Sequence, residues 1–271
     1  MDCKKCAQWT EALLSLKRKP VGVKFLLTRE DYLKWEAHEN KNKMSYCTVV
    51  RRATEGHAQK IHAGNMACMG GSLALGFLPP SEEVVSGLRR YRQGAYRDLG
   101  VCRQVSKNMV YCEHRPYGAA VMPLETFTER PDVVIVVCDA FCAMRLAQGY
   151  AYHHGHIKNI QLAGMQAMCQ ECTSYPYENN QPNITLMCSG TRMLGGWQND
   201  ELAVGMPYKL YLDTVDGLQN TVNPLERDHG KTAIDQRLKE SGLDDGSLAI
   251  VYGKNYDDGA YHGGFADALK D

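Results

Sequence analysis

Apolar runs of strand length alternate along this chain with segments whose apolar positions recur at helical spacing. Residues 19–26 read Lys-Pro followed by Val-Gly-Val-Lys-Phe-Leu, and residues 130–137 read Arg-Pro-Asp followed by Val-Val-Ile-Val-Val. Each is a proline and then a largely β-branched run, so each predicts a strand. Further strands are expected at 118–124, 208–212 and 248–252. A helix is expected over 31–37 with Thr28 as its cap, and another over 139–152 with Asp139 capping. Residues 81–92 predict a helix capped by Ser81, with Val84, Val85 and Leu88 on one face. Residues 199–204 and 232–241 also read as helical, and the polar tail from Gly253 reads as a loosely packed end. Strands alternating with helices make this an α/β or α+β protein.

One pattern occurs twice. NMACMGGSLALGF (residues 65–77) and TLMCSGTRMLGGW (residues 185–197) share Cys68/Cys188, Gly70/Gly190, Gly76/Gly196 and the aromatic pair Phe77/Trp197. Each copy follows the same order of strand, helix and a further cysteine, Cys47 in the first half and Cys169 with Cys172 in the second. The chain is therefore expected to hold two related halves from an internal duplication, with pseudo-two-fold symmetry. The halves would be residues 1–110 and 111–212, with 213–271 as a C-terminal extension, all in one compact unit.

Composition adds a boundary and an anomaly. With 271 residues the chain can bury a sizeable core, and 31 basic residues balance 31 acidic ones. No global field or basic, aromatic-interleaved surface favours nucleic acid. Short basic pairs such as Arg51-Arg52 and Arg89-Arg90 are expected on solvated helix faces. No signal peptide is evident, and the longest apolar stretch, residues 133–138, falls far below a membrane span. A cytoplasmic protein without membrane contact is the expectation. The anomaly is eleven cysteines. An odd number in a chain without an export signal argues against a disulfide framework, leaving buried thiols or soft-metal ligands.

The stretch PLETFTERPDVVIVVCDAFCAMRLAQGYAYHHG (residues 123–155) is similar to the central signature of domain-of-unknown-function family 169. The elements KPVGVKF at 19–25, Tyr46-Cys47, CMGGSLALG at 68–76, CSGTR at 188–192 and Asp200-Glu201-Leu202 with Pro207 resemble that family too. The resemblance spans about residues 19–212. It implies a prokaryotic cytoplasmic protein of the kind found in anaerobes, and it supplies no biochemical function. Cys3, Cys6, Cys138, Cys142, Cys169 and Cys172 are not placed by it.

The duplicated element itself suggests chemistry. Gly70 and Gly71 after Cys68, and Gly190 after Cys188, let backbone N–H groups turn towards a thiolate or a bridging sulfide. Thiolates tuned by N–H···S bonds are what an iron–sulfur cluster needs. Cys47, Cys68, Cys188 and one of Cys169/Cys172 would place four thiolates across the interface between halves, holding a four-iron cubane. Arg192 could offset the cluster's charge or anchor a substrate carboxylate. Zinc competes, but only Cys3-x-x-Cys6 and Cys169-x-x-Cys172 have knuckle spacing. Buried thiols at tightly packed helix starts are the plainest alternative. Cys138 and Cys142 are expected to be core thiols, and Cys102 and Cys112 carry no assignment.

Other candidates are weaker. His153, His154 and His156 read as a solvated helix end, and His57 and His62 as polar loop residues. Asp200 and Glu201 could serve as general acid or base, though acids at the start of a short helix explain them better. Dinucleotide, Walker, serine-hydrolase and zincin motifs are missing from the sequence. The leading expectation is an iron–sulfur protein for electron transfer or small-molecule redox chemistry. Its partner would be a redox protein or a small molecule, and a homodimer is left open. The second is a non-catalytic small-molecule or zinc-binding protein with structural or redox-sensing thiols.

Overall fold

The computed structural model describes residues 2–39 and 41–221. The helix expected at 232–241, the strand expected at 248–252 and the polar tail lie outside the described residues. The chain divides into two compact units, Met1–Leu218 and Gln219–Asp271, and the first carries the sheet and its cores.

The elements follow as α1 (Cys3–Leu14), β1 (Val21–Leu26), α2 (Arg29–Lys34), β2 (His38–Glu39), α3 (Tyr46–Thr54), β3 (Gln59–His62), α4 (Met69–Ala74), α5 (Glu82–Val85), α6 (Leu88–Arg92), α7 (Leu99–Lys107), β4 (Gly118–Pro123), β5 (Val133–Cys138), α8 (Ala140–His154), a π-helical segment (Ala167–Ser174), α9 (Tyr175–Asn179), β6 (Asn183–Thr185), α10 (Ser189–Gly195), β7 (Leu202–Pro207) and α11 (Tyr208–Asn220). The seven strands form one mixed sheet in the order β2-β3-β4-β1-β5-β7-β6, antiparallel throughout except for the β2/β3 pair.

Strand periodicity explains the layering. In β5, Val133, Ile135 and Val137 join one apolar core with α3 and the π-helical segment. Val134, Val136 and Cys138 point the other way, into a second core with α1, α8 and α11. Successive side chains of a strand face opposite sides, so a run with no polar position belongs in a sheet covered on both faces.

Strand order and register repeat about the central β1/β5 pair. Val21 lies opposite Pro123 in β1/β4, and Val133 opposite Pro207 in β5/β7. Gln59 pairs with Val121, and Asn183 with Gly205, each two residues back along the middle strand. At the centre Val21 faces Ile135 and Val23 faces Val133. A two-fold axis perpendicular to the sheet would exchange the two sets of three strands and keep α3 and the π-helical segment on one face.

Local signals account for several elements. Thr28 and Asp31 form a reciprocal capping box on α2, and Asp139 accepts from the Cys142 N–H to start α8. The helix expected to reach residue 37 stops at Lys34. There the buried Lys60 ammonium donates to the carbonyls of Tyr32 (2.9 Å) and Trp35 (3.0 Å), satisfying groups the helix leaves open.

Three expectations are corrected. Residues 81–92 form two short helices, because Gly87 adopts φ +79°; a β-carbon there would lie 2.6 Å from the Arg103 nitrogen. The helix expected at 199–204 is replaced by strand β7, paired along its whole length with β5. The strand expected at 208–212 is the start of α11. Tyr208, Tyr211, Val215 and Leu218 are all buried, a helical spacing that a five-residue window does not span.

Candidate functional site

The recurring cysteine–glycine element is a short helix with a thiol at its start and a left-handed glycine at its end. Cys68 is the N-cap of α4 and Cys188 the N-cap of α10. Gly76 follows α4 at φ +75°, and Gly196 closes α10 at φ +69°. Glycine tolerates that region without a Cβ clash, which is why it recurs at helix ends. The aromatics close the unit: Trp197 is buried and donates its indole N–H to the Cys47 carbonyl at 3.3 Å, while Phe77 packs against the same core.

Four elements on one face of the sheet meet here. Cys47 stands in the first turn of α3, whose cap Ser45 places its hydroxyl 3.2 Å from the Cys47 sulfur. The Cys188 sulfur accepts from the Thr191 N–H at 3.4 Å and lies 3.0 Å from its hydroxyl. Cys169 stands in the first turn of the π-helical segment, its sulfur 3.5 Å from the Gln166 carbonyl. Gln166 also donates through its side chain to the Gly70 carbonyl at 2.9 Å, tying that segment to α4. A β-carbon built at Gly195 would lie 3.6 Å from that of Cys47, so the end of α10 rests against α3.

Electrostatics link Cys47 and Cys169 to the thiols at the two helix starts. Burial raises the Cys47 thiol first, and the charges of Cys188 and Cys68 push it further. Cys169 is driven well above the ordinary thiol range by burial and then by Cys68, Cys47 and Cys188. Neighbouring thiols thus disfavour the ionisation of Cys47 and Cys169, and a nearby cation would oppose that effect. Cys169 is buried, Cys47 and Cys188 are half-buried and Cys68 is exposed, so the group opens to the surface at Cys68.

Cys172 lies elsewhere. It is wholly buried, its S–H reaching the Ala203 carbonyl at 3.5 Å. Burial, Glu171 and Cys138 raise its pKa, and none of the four site cysteines is among the causes. The π-helical turn explains the divergence, since closing i→i+5 bonds widens the turn and carries residue i+3 off the face of residue i. The Thr173 and Ser174 hydroxyls stabilise that turn by donating to the carbonyls of Met168 (2.8 Å) and Cys169 (3.1 Å), each five residues back.

The glycines leave room beside the sulfurs. A β-carbon at Gly70 would stand 3.7 Å from the Cys68 sulfur and one at Gly190 3.9 Å from that of Cys188, while at Gly71 it would press on Met66 at 2.9 Å. Arg192 donates to the backbone carbonyls of Leu186 (3.1 Å), Glu201 (2.7 Å) and Gln198, holding together the loop from α10 to β7. Glu201 pairs with Arg18 and accepts from the Gln198 N–H, so with Asp200 it precedes a strand rather than opening a helix. His153 and His154 pair with Asp216 and Asp213 at the end of α8. His62 bonds Glu39 at 3.1 Å and stacks on Tyr117.

Core thiols occupy the remaining places. Burial pushes Cys138 up to about 12 and Cys142 to about 11, and Cys6 to about 11 within α1. Among the described residues, no three or more His, Cys, Asp or Glu side chains are grouped to hold a metal ion, and no helix is long and apolar enough to cross a membrane. Sequence reasoning missed Gln166, a non-glycine residue at φ +52°, because nothing in Gly-Met-Gln announces a left-handed start to a π-helix. It also placed Arg90 on a solvated face, whereas Arg90 is buried.

The profile of domain-of-unknown-function family 169, described as uncharacterised ArCR, matches residues 11–217, and the chain belongs to that family. It is 25% identical over 212 residues to the uncharacterized protein MJ0308 of Methanocaldococcus jannaschii, an alignment covering 77% of this chain and 90% of that one. No solved structure matches the chain.

Proposed function

We propose that this member of family 169 is an iron–sulfur protein whose cluster is held by Cys47, Cys68, Cys169 and Cys188. The observation that carries the reading is that four separate elements bring their cysteines together: the charges of Cys68 and Cys188 bear on both Cys47 and Cys169, the end of α10 rests against Cys47, and Gln166 ties the π-helical segment to α4. They come as two pairs from comparable places in the strand order: Cys68 and Cys188 cap the helices after β3 and β6, while Cys47 and Cys169 stand in the first turns of α3 and the π-helical segment, each the second helix after β1 and β5. An internal duplication would supply such a set in pairs.

The donor chemistry fits the group. All four candidate ligands are sulfur, as clusters require, and N–H or O–H donors reach the sulfurs of Cys47 and Cys188. A single tetrahedral ion with metal–sulfur bonds of about 2.3 Å draws its thiolates into close contact. A cubane spreads its ligands over a wider span, which suits four sulfurs set on four helices. When bound, the cluster would supply one-electron redox chemistry, and this chain's part is to supply the thiolates and limit solvent access to the Cys68 side. Met69, Leu186, Met193 and Leu194, all exposed, flank Cys68 and Cys188 and suit contact with a redox partner.

The test is iron, acid-labile sulfide and a visible spectrum on the full chain purified without oxygen. The expected result is about four iron and four sulfide per chain, with both lost in Cys68→Ser and Cys188→Ser. Stoichiometric zinc in a colourless protein would replace this reading with a structural or thiol-sensing site. Metal-free protein under strict anaerobiosis would make the cysteine–glycine element a packing device.

A further inference from the structure

Arg90, in α6, is only 7% exposed, and the side chains it touches are uncharged. Its guanidinium donates to Gln166 Oε1 at 2.5 Å and lies against the sulfurs of Met165 (3.1 Å) and Met109. Among the described residues no carboxylate pairs with it. Glu171, the acid buried nearby, accepts from the Ala163 N–H (2.8 Å) and the Thr185 hydroxyl. A guanidinium stays charged at any accessible pH, and a buried charge without a counter-charge is costly.

The charge faces a cavity. Arg90 lines a space of about 240 Å³ whose other walls include Val105, Met109, Ile160 and Leu162, with Asn108, Gln161 and Gln170. One fixed cation, three amide residues and apolar walls are the lining expected for a small organic anion. An inorganic anion would leave the apolar walls unused, and a neutral ligand would leave the charge unanswered. Gln166 holds the fork in place, since its side chain binds Arg90 through oxygen and the Gly70 carbonyl through nitrogen. A guanidinium with N–H donors still open suits a carboxylate, which it meets with a charge-assisted hydrogen bond.

We propose that this cavity binds a small organic carboxylate with an apolar body, and that Arg90 is the group that recognises its charge. The proposal stands apart from the cluster reading, and its test uses neither iron nor colour. The full chain is titrated with n-hexanoate, with hexanamide and with inorganic phosphate, following thermal midpoint and binding heat. Hexanoate is expected to bind and to raise the midpoint, with hexanamide and phosphate at least about tenfold weaker. Arg90→Gln should weaken hexanoate about ten- to a hundredfold, the factor expected for losing a charge-assisted contact. Because that variant removes a buried group and can fail to fold, Ile160→Trp is the second probe. Ile160 is 43% exposed on the outer wall, so a larger side chain there should leave the unliganded midpoint unchanged and block hexanoate. The proposal is overturned if hexanamide or phosphate binds as well as hexanoate, if nothing binds, or if Ile160→Trp binds hexanoate like the unaltered chain.

Discussion

The two cysteines of the Cys169-x-x-Cys172 pair should respond oppositely to substitution, and the contrast separates ligand from core. Cys172 is 0% exposed, and the bond its S–H donates to the Ala203 carbonyl is long at 3.5 Å. Cys172→Ala therefore removes one buried, methyl-sized group and a weak donor, a loss of about 1–1.5 kcal/mol. For a unit of this size that lowers the thermal midpoint by roughly 2–5 °C, with the iron content unchanged. Cys169→Ser deletes a ligand while keeping nearly the same volume. As a packing change it would cost no more than Cys172→Ala. If it removes a cluster, it also removes the stabilisation that metal binding adds to the folded state. Iron should then fall from about four per chain to less than about one, with a larger loss of midpoint. The assay is iron and sulfide per chain beside a thermal melt, both without oxygen. Iron retained in Cys169→Ser, or lost as fully in Cys172→Ala, would refute the assignment of Cys169.

Raised thiols make alkaline pH a second probe, using metal-free protein. Burial holds Cys6 and Cys142 at about 11, and Cys112 and Cys138 at about 12, against about 8.5 in an unfolded chain. Between those values the unfolded state has shed protons the folded state keeps, so stability falls as pH rises. Each titrating thiol contributes about 1.4 kcal/mol per pH unit. Urea melts under reductant at pH 8 and pH 10 should show the drop, and equal midpoints would contradict it. Gly217→Ala should cost about 2–4 kcal/mol in thermal or urea melts, because a β-carbon there would stand 2.0 Å from the Gly149 carbonyl oxygen; an unchanged melt would mean that α8 and α11 do not meet there. Lys60→Met should cost about 2 kcal/mol by leaving the carbonyls of Tyr32 and Trp35 without their ammonium, and a neutral result would show that water replaces it.

What the sequence made legible depended on how local the physics is. The run Val133–Cys138 announces a strand covered on both faces because all six of its positions are apolar, and Asp139 announces the helix behind it because a cap acts over three residues. Residues 199–212 misled for the opposite reason. The strand Leu202–Pro207 exists through its partners in β5, and α11 declares itself only over three turns. The site divides the same way. Cys47, Cys68 and Cys188 stood out through a repeated spacing that survives in the primary sequence. The choice between Cys169 and Cys172 did not, since it turns on i→i+5 closure in a π-helix, and no residue type specifies that closure. Arg90 is the extreme case. Beside Arg89 it reads as half of a basic pair on a wet helix face, yet Gly87 breaks the helix before it and turns its side chain inward against Met109, Met165 and Gln166. A charge that only tertiary structure buries has no sequence signature, and neither has the cavity it faces.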